Sequence, residues 1–487
     1  MSQWARVGGM LLGLAMVLAP VGASAAGAPA AGAPKNGNGG PVLNYDQLTE
    51  MALKFSPDVK ASRSEVKLAA EQKNEVHGYR WPQFDATALG GVAPKAHLAR
   101  VQSIGGTMFQ PDPKDKLHGI SIFGHMDFTF IQPLYTFGKI AYREEATAKN
   151  IKVKEEGVVA KQGEIIVQVS QAYYGLILAN QGKDAVKEAK SYLSDTKERI
   201  NRLIAVRSPN VKATDKYRLA AYEGAVEKAG AEAEEGAKTA YMALKALTGY
   251  PANQDFQVPT DLPNPAAPAG TLDTQIRTAL EMRPEFRQLK EGLVARQLLV
   301  DAAKADRLPS FFFAVVGQLA GAPGRKYNPD PYINDWFNDN GALPMVGAKW
   351  HFDFGILNAK IGQARAELEG LQNQERTALM GIPIEVAKNY GDVQTNYKGS
   401  MGMEKAYVNA RRWLVTTFSN FDMGLGSISD TFQAFERYGV FRGDYLMAVY
   451  NYNLAVAQLD KSTGAYRRKL PQSNNDKPAF KPLPSFK

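Results

Sequence analysis

The stretch from Gly138 to about Arg207 limits the fold more than any other. It holds no proline, and its apolar residues recur in steps of four and three: Ile165, Val169, Ala172, Leu176 and Ala179, then Val186, Ala189, Leu193, Thr196, Ile200 and Leu203. Lys183 fills the one missing slot. A period of 3.5 residues is the seam of a coiled coil, narrower than the stripe of a globular helix. At 1.5 Å per residue, roughly 70 residues span on the order of 100 Å. An ordinary globular domain has no use for such a rod. Alone, the segment would suit a cytoskeletal-style coiled coil; its flanks point elsewhere.

The first residues carry an export pattern. Arg6 precedes an apolar run, Val7 to Val21, and Ala23-Ser24-Ala25 has the small-x-small form of a cleavage site. Residues 1–25 therefore read as a secretory signal peptide. The run is too short for a membrane span and contains Pro20, and no later stretch reaches the length of a transmembrane helix. Residues 26–42, rich in Ala, Gly and Pro, read as a flexible leader. The absence of cysteine excludes disulfides, zinc–thiolate sites, cysteine nucleophiles and a cysteine-borne lipid anchor. The net charge of +9 falls to +8 when Arg6 leaves. Lys and Arg alternate with Glu along the helices, as from Lys183 to Arg199, which makes a solvated face and argues against nucleic acid as a partner.

Taken in order, the chain says everything twice. A helical pattern from Tyr45 to His77, broken at Ser56-Pro57-Asp58, leads to a strand from Tyr79 to Val92 and a polar loop from Pro94 to His118. The next strand alternates, with Ile120, Ile122, Gly124, Met126, Phe128 and Phe130 on one face and Ser121, His125, Asp127 and Thr129 on the other, Phe123 being the exception. The long helix follows, then a tip from Arg202 to Asp215. The return helix has its own seam: Leu219, Tyr222, Val226, Ala229, Ala233, Gly236, Ala240, Ala243 and Leu247. Ala279 and Pro284 then repeat Ala52 and Pro57, and Pro309 repeats Pro82, at one ungapped offset of 227. Phe354-Gly355 repeats Phe137-Gly138, and Thr463-Gly464 repeats Thr248-Gly249. The second half shows strands over Phe311, Phe313, Val315 and Leu319 and over Val346, Ala348, Trp350, Phe352 and Phe354. Pro383 should kink its long helix. Its last helix has a seam from Ile428 to Leu459 that admits Arg442. We read an internal duplication, with repeats over 43–250 and 271–466, a linker over 251–270 and a disordered tail over 467–487.

Four apolar-faced strands on an exported chain raise a closure problem. In lipid every sheet edge must be paired. Membrane barrels begin at eight strands, so several chains would have to share one. The helical hairpins would hang from its rim as a tunnel. At this point the residues resemble a family. The duplicated plan, the proline-containing first helices, the junction Gln132-Pro133-Leu134-Tyr135-Thr136-Phe137-Gly138 and the stretch Phe421-x-x-Gly424-x-x-x-x-x-Asp430 are similar to the TolC-type outer membrane efflux proteins. The likeness covers about residues 43 to 466.

The resemblance implies an α+β membrane protein with four transmembrane β-strands per chain and long coiled-coil helical hairpins. It implies a homotrimer whose 12-stranded β-barrel lies in outer-membrane lipid and continues as an α-helical barrel through the periplasm. It also implies an exit duct of a tripartite efflux or type I secretion system, with a periplasmic adaptor (membrane fusion protein) and an inner-membrane transporter as partners. Phe128, Phe130, Phe311, Phe313, Trp350 and Phe352 would face lipid, and Asp127 and Asp353 the lumen. Asp430 matches the family's first constricting aspartate, and Gln433 stands where a second is usual. Phe421 would pack beside them at the periplasmic gate. The turns at Ser208, Pro209 and Asn210 and at Gly424, Leu425, Gly426 and Ser427 would meet the adaptor. A soluble periplasmic coiled-coil adaptor or scaffold is the alternative, and it leaves the aromatic strands unexplained.

Catalytic chemistry finds no foothold. His77, His97, His118, His125 and His351 lack metal-ligand spacing, and no G-x-S-x-G elbow is present. The run Gly321 to Lys326 has the wrong spacing for a P-loop. Paired acids such as Glu155-Glu156 and Glu234-Glu235 read as solvated helix faces. We expect no enzyme activity, no metal and no cofactor.

Overall fold

The two halves of the chain run through matching elements at nearly matching lengths. The computed structural model describes residues 40–95, 100–103, 106–109, 119–206, 208, 211–325 and 335–470. The first half holds α1 (Tyr45–Phe55), α2 (Pro57–Gly78), β1 (Gln83–Pro94), a small hairpin of β2 (Arg100–Ser103) and β3 (Gly106–Phe109), β4 (Ile120–Tyr135), α3 (Lys139–Ala205) and α4 (Thr214–Thr248). The second holds α5 (Leu272–Met282), α6 (Pro284–Ala305), β5 (Ser310–Gly321), β6 (Asn340–Lys349), α7 (Ile356–Asp422) and α8 (Ile428–Thr463), then a 3-10 turn, Ala465–Lys469. The long helix has 67 residues in both halves, and the return helices have 35 and 36. Pro383 lies inside α7 without ending it.

Local chemistry repeats with the elements. Asn44 closes a capping box with Gln47 at the start of α1, and Thr271 accepts from the Thr274 N–H at the start of α5. Pro57 and Pro284 each open the next helix, where a missing N–H costs nothing. Gly249 and Gly464, both left-handed, close α4 and α8.

Two compact units cut across the repeats, each drawing on both halves. One comprises the described residues up to Glu65, Lys154–Gln288 and those from Glu375 on. Its core gathers Leu48 and Val59, Val169 and Ile177 of α3, and Leu244 of α4, all fully buried. The α3 seam is buried at Ile165, Val169, Leu176, Ala179, Leu193, Thr196 and Ile200, while Lys183 is exposed. Along α4 the seam departs from the expected register. Gly236, Ala243 and Leu247 are half-buried, and Ala237 and Leu244 take the covered positions. There α4 packs on α1 as well as α3, so a third neighbour turns the buried stripe.

The linker packs into this core, and the leader and tail have narrower bounds than expected. Phe256 and Leu262 of the linker are buried in that core, and the Tyr452 hydroxyl donates to Ala266 O at 2.7 Å. Val42 forms a parallel bridge with Gln257, whose N–H donates to Pro41 O at 2.9 Å, so the leader ends before Pro41. The expected tail begins inside the 3-10 turn. Tyr466 is buried and donates to Val159 O at 2.8 Å, and Arg467 grips Glu156 with both terminal nitrogens at 2.7 and 2.8 Å. The signal peptide, the leader up to residue 39 and the tail from Pro471 lie outside the described residues.

The second unit, Val66–Val153 and Leu289–Gln374, contains the sheet. The strand order is β1-β4-β5-β6, antiparallel throughout, which leaves β1 and β6 as its outer strands. Pairings such as Phe84↔Phe130, Phe128↔Gly317 and Phe313↔Val346 put Phe84, Ile122, Met126, Phe128, Phe130, Phe311, Phe313, Val315 and Val346 on one face. That face bears no charged side chain on the paired residues. Asp85, Thr87, Ser121, His125, Asp127, Thr129, Gln318 and Lys349 share the other face with several apolar residues. Gly317 makes room on the apolar face, since a Cβ there would meet the Phe128 ring at 2.3 Å.

Strand ends differ from the expected ones. β1 starts at Gln83 because residues 79–81 continue the turn that ends α2, with Tyr79 N–H donating to Val76 O. The loop after β1 contains β2 and β3. β6 stops at Lys349, so Trp350, Phe352 and Phe354 follow the strand instead of lying on it. Trp350 Nε1–H donates to Arg307 O at 2.8 Å, which turns the chain out of the sheet. Asp353 does not belong to the polar face either; its carboxylate accepts from the N–H groups of Gly355 (3.0 Å) and Leu357 (2.9 Å) at the start of α7. The Leu357 bond, then the Gly355 bond, hold that carboxyl below its usual range.

Candidate functional site at the hairpin tips

The α7–α8 tip is a Schellman turn. Leu425 N–H donates to Asn420 O at 2.9 Å and Gly424 N–H to Phe421 O at 3.1 Å, with Gly424 left-handed at φ +78°. Such turns usually tuck the residue after the glycine against the helix. Here Leu425 is 78 % exposed and Met423 63 % exposed, so the tip presents apolar surface. Ser427 caps α8, its Oγ accepting from the Asp430 N–H at 3.3 Å. Asp430 is thus a first-turn acid, favoured by the helix dipole, and its side chain is exposed. Gln433 is exposed one turn further on.

Phe421 is buried in a small core with Leu193, Ile200, Leu219, Ile428 and Phe432, so both hairpins of the chain contribute to it. Polar ties surround this core. Arg218 donates to Ser429 Oγ at 3.0 Å, Arg199 pairs with Asp422 and lies over the Phe418 ring, and Tyr222 donates to Glu436 at 3.0 Å. Burial, then the bond to Glu436, push the Tyr222 hydroxyl up to about 12. Further along, Glu188 of α3 accepts from Tyr438 at 3.0 Å and pairs with Arg442 of α8. Burial raises the Tyr438 hydroxyl.

The α3–α4 tip is described in part. Ser208 is half-buried, its N–H donating to Leu203 O at 2.9 Å, and Lys212 N–H donates to Asp215 at 2.8 Å. Pro209 and Asn210 lie outside the described residues, as do His97 and His118. Asp430, Gln433 and Phe421 fall within one stretch of α7–α8, but Phe421 points into the tip core while the other two are exposed. The cross-hairpin ties were not anticipated. Their one visible signal was Arg442 in an apolar seam, because a charge placed there needs an opposite charge on the facing helix.

A duplicated chain with a four-stranded antiparallel sheet and two long helical hairpins has the fold of the outer-membrane channels. No family profile and no curated protein matches the sequence. Among solved structures, the chain is similar to the outer-membrane channel OprN, with 16% identity, 86% of this chain and 89% of that one covered, and a TM-score of 0.69. The CmeC outer membrane channel of Campylobacter jejuni gives 19%, 86% and 85%, with a TM-score of 0.66. The open state of the MtrE outer membrane channel of Neisseria gonorrhoeae gives 18%, 86% and 88%, with a TM-score of 0.65. The resemblance read from the sequence is met at the level of fold.

Proposed function

We propose that this chain forms a passive exit duct of the outer membrane. Three copies join β6 to the next β1 and close a 12-stranded barrel, and the helical hairpins continue it through the periplasm. The observation that carries this reading is the sheet itself. One face bears no charged side chain across all four strands, the other carries Asp85, His125, Asp127 and Lys349, and two outer strands remain to be paired. Lipid demands that arrangement, and four strands per chain meet it only by sharing. Tyr79, Trp81, Tyr135, Trp350, Phe352 and Phe354, all exposed, gather where the strands meet helices and suit a membrane interface. Among the described residues no helix is long and apolar enough to cross a membrane, so the sheet is the element that would span it.

In this reading the duct works with a periplasmic adaptor seated on the tips and an inner-membrane transporter that supplies the energy, in tripartite efflux or type I secretion. Fractionation followed by an unheated denaturing gel tests it. The chain should need detergent for extraction from the outer membrane and run as a heat-sensitive oligomer of about three chains. Recovery in the soluble periplasmic fraction as a monomer would instead favour a soluble scaffold.

A further inference from the structure

Part of the β5–β6 connection lies across the polar face of the sheet, near the strand ends remote from the long helices. The Trp336 ring stacks on the His125 imidazole with centroids 4.4 Å apart, and Phe337 meets Phe123 edge-on at 5.0 Å. The segment is held at its base. Arg325 pairs with Asp335 at 2.8 Å and donates to Pro94 O at 2.9 Å, and Gly324 N–H donates to Ser121 Oγ at 3.0 Å. Trp336 remains 44 % exposed, whereas the His125 side chain beneath it is fully buried.

The hydrogen bonds of His125 define where a proton sits. Nδ1 lies 2.8 Å from Trp336 O, and Nε2 lies 2.9 Å from Asp127 Oδ1. A carbonyl and a carboxylate can only accept, so both bonds together require N–H on both ring nitrogens. A neutral imidazole would leave one of them as a lone pair facing an oxygen. Among the described residues, the strands paired with β4 put no substitute charge beside it. β1 places Leu89 opposite His125, β5 places Ala320 there, Arg325 and Asp335 pair with each other, and Asp339 is held by Gln318.

From this juxtaposition we infer that Trp336 and Phe337 form a proton-held lid over the polar face, shut while the His125–Asp127 pair carries its proton and released as pH rises. The inference rests on the proposed duct, in which this face lines the lumen and the lid narrows its outer mouth.

Asp127→Asn separates charge from shape. Its carboxamide N–H can donate to a neutral Nε2 while Nδ1–H stays on Trp336 O, so this lid should hold without the extra proton. The cysteine-free sequence allows a direct test. Thr129→Cys, on the polar face, is labelled on intact cells with a membrane-impermeant maleimide, and each rate is divided by the rate in a Trp336→Ala background at the same pH. That division cancels the pH dependence of the thiol. The ratio should be near one at about pH 8.5 and fall about fivefold by about pH 5. With Asp127→Asn it should stay low throughout. A ratio near one at every pH, or an unchanged pH step in Asp127→Asn, overturns the lid. If the cysteine is labelled only after detergent even with Trp336→Ala, the polar face is not an open lumen and the duct reading fails instead.

Discussion

Gly424 shows how one residue can be read from sequence only up to a choice. A glycine at a tip can serve either of two ends, a close backbone approach or a left-handed conformation. The second is observed: φ is +78°, and nothing lies within 4 Å of where a Cβ would sit. Close approach belongs to Gly426, whose Cβ would come 3.3 Å from Asn420 and Phe421. Conformation and bulk can therefore be separated at Gly424. Asn tolerates the left-handed region, so Gly424→Asn should nearly preserve stability, whereas Gly424→Val should cost about 1–2 kcal/mol in each chain. Gly424→Trp should still assemble, yet lose export, because the added ring projects from the surface proposed to meet the adaptor. Thermal unfolding of the purified oligomer and an export assay check both parts. Equal destabilisation by Asn and Val would show that conformation does not govern the position.

At the scale of elements, the alternation along β4 and β5 was legible because the period of two is strong and one face is free of charge. The face assignment has a sharp consequence. Phe128 lies on the apolar face, over Gly317, while its neighbour Asp127 lies on the polar one. Phe128→Arg should lower the yield of assembled oligomer severely, since a cation on a lipid-facing strand costs on the order of 2–4 kcal/mol at the bilayer midplane. Asp127→Asn should leave that yield unchanged. The unheated gel reads both, and equal yields would refute the lipid-facing assignment of this face. Element ends were not legible, for a physical reason. β6 stops where the Trp350 indole finds Arg307 O and Asp353 finds the first N–H groups of α7, bonds between residues that no periodicity links. The start of the tail was set too early in a similar way, since Arg467 is fixed on Glu156 next to the buried Tyr466. The seam of α3 was legible at its seven buried positions from Ile165 to Ile200, whereas the register of α4 turns toward α1.

For the whole molecule, the question is whether the tip constricts. Asp430, Gln433 and Arg437 are all exposed on α8 and recur at i, i+3 and i+7, so they share a face pointing away from the Phe421 core. Threefold symmetry would turn each into a ring. Three Asp430 carboxylates around a narrow mouth attract cations and repel anions, so the isolated oligomer should pass cations better. The preference should be modest, for two reasons. Gln433 leaves the second ring uncharged, and Arg437 places opposite charge about two turns away, a residue whose part in this balance only the exposed face reveals. Ion-selectivity measurements on single channels decide it. Asp430→Asn should reduce cation preference and block by multivalent cations, and Gln433→Asp should increase both. Arg437→Gln should shift selectivity toward cations without creating a new acidic ring. The cross-hairpin ties define a control, because Arg442→Gln removes the Glu188 pair and should widen the mouth while altering selectivity little. If Asp430→Asn and Gln433→Asp both leave selectivity and block unchanged, Asp430 serves only the helix start that Ser427 caps, and the narrowest charged passage of the duct lies elsewhere along the hairpins.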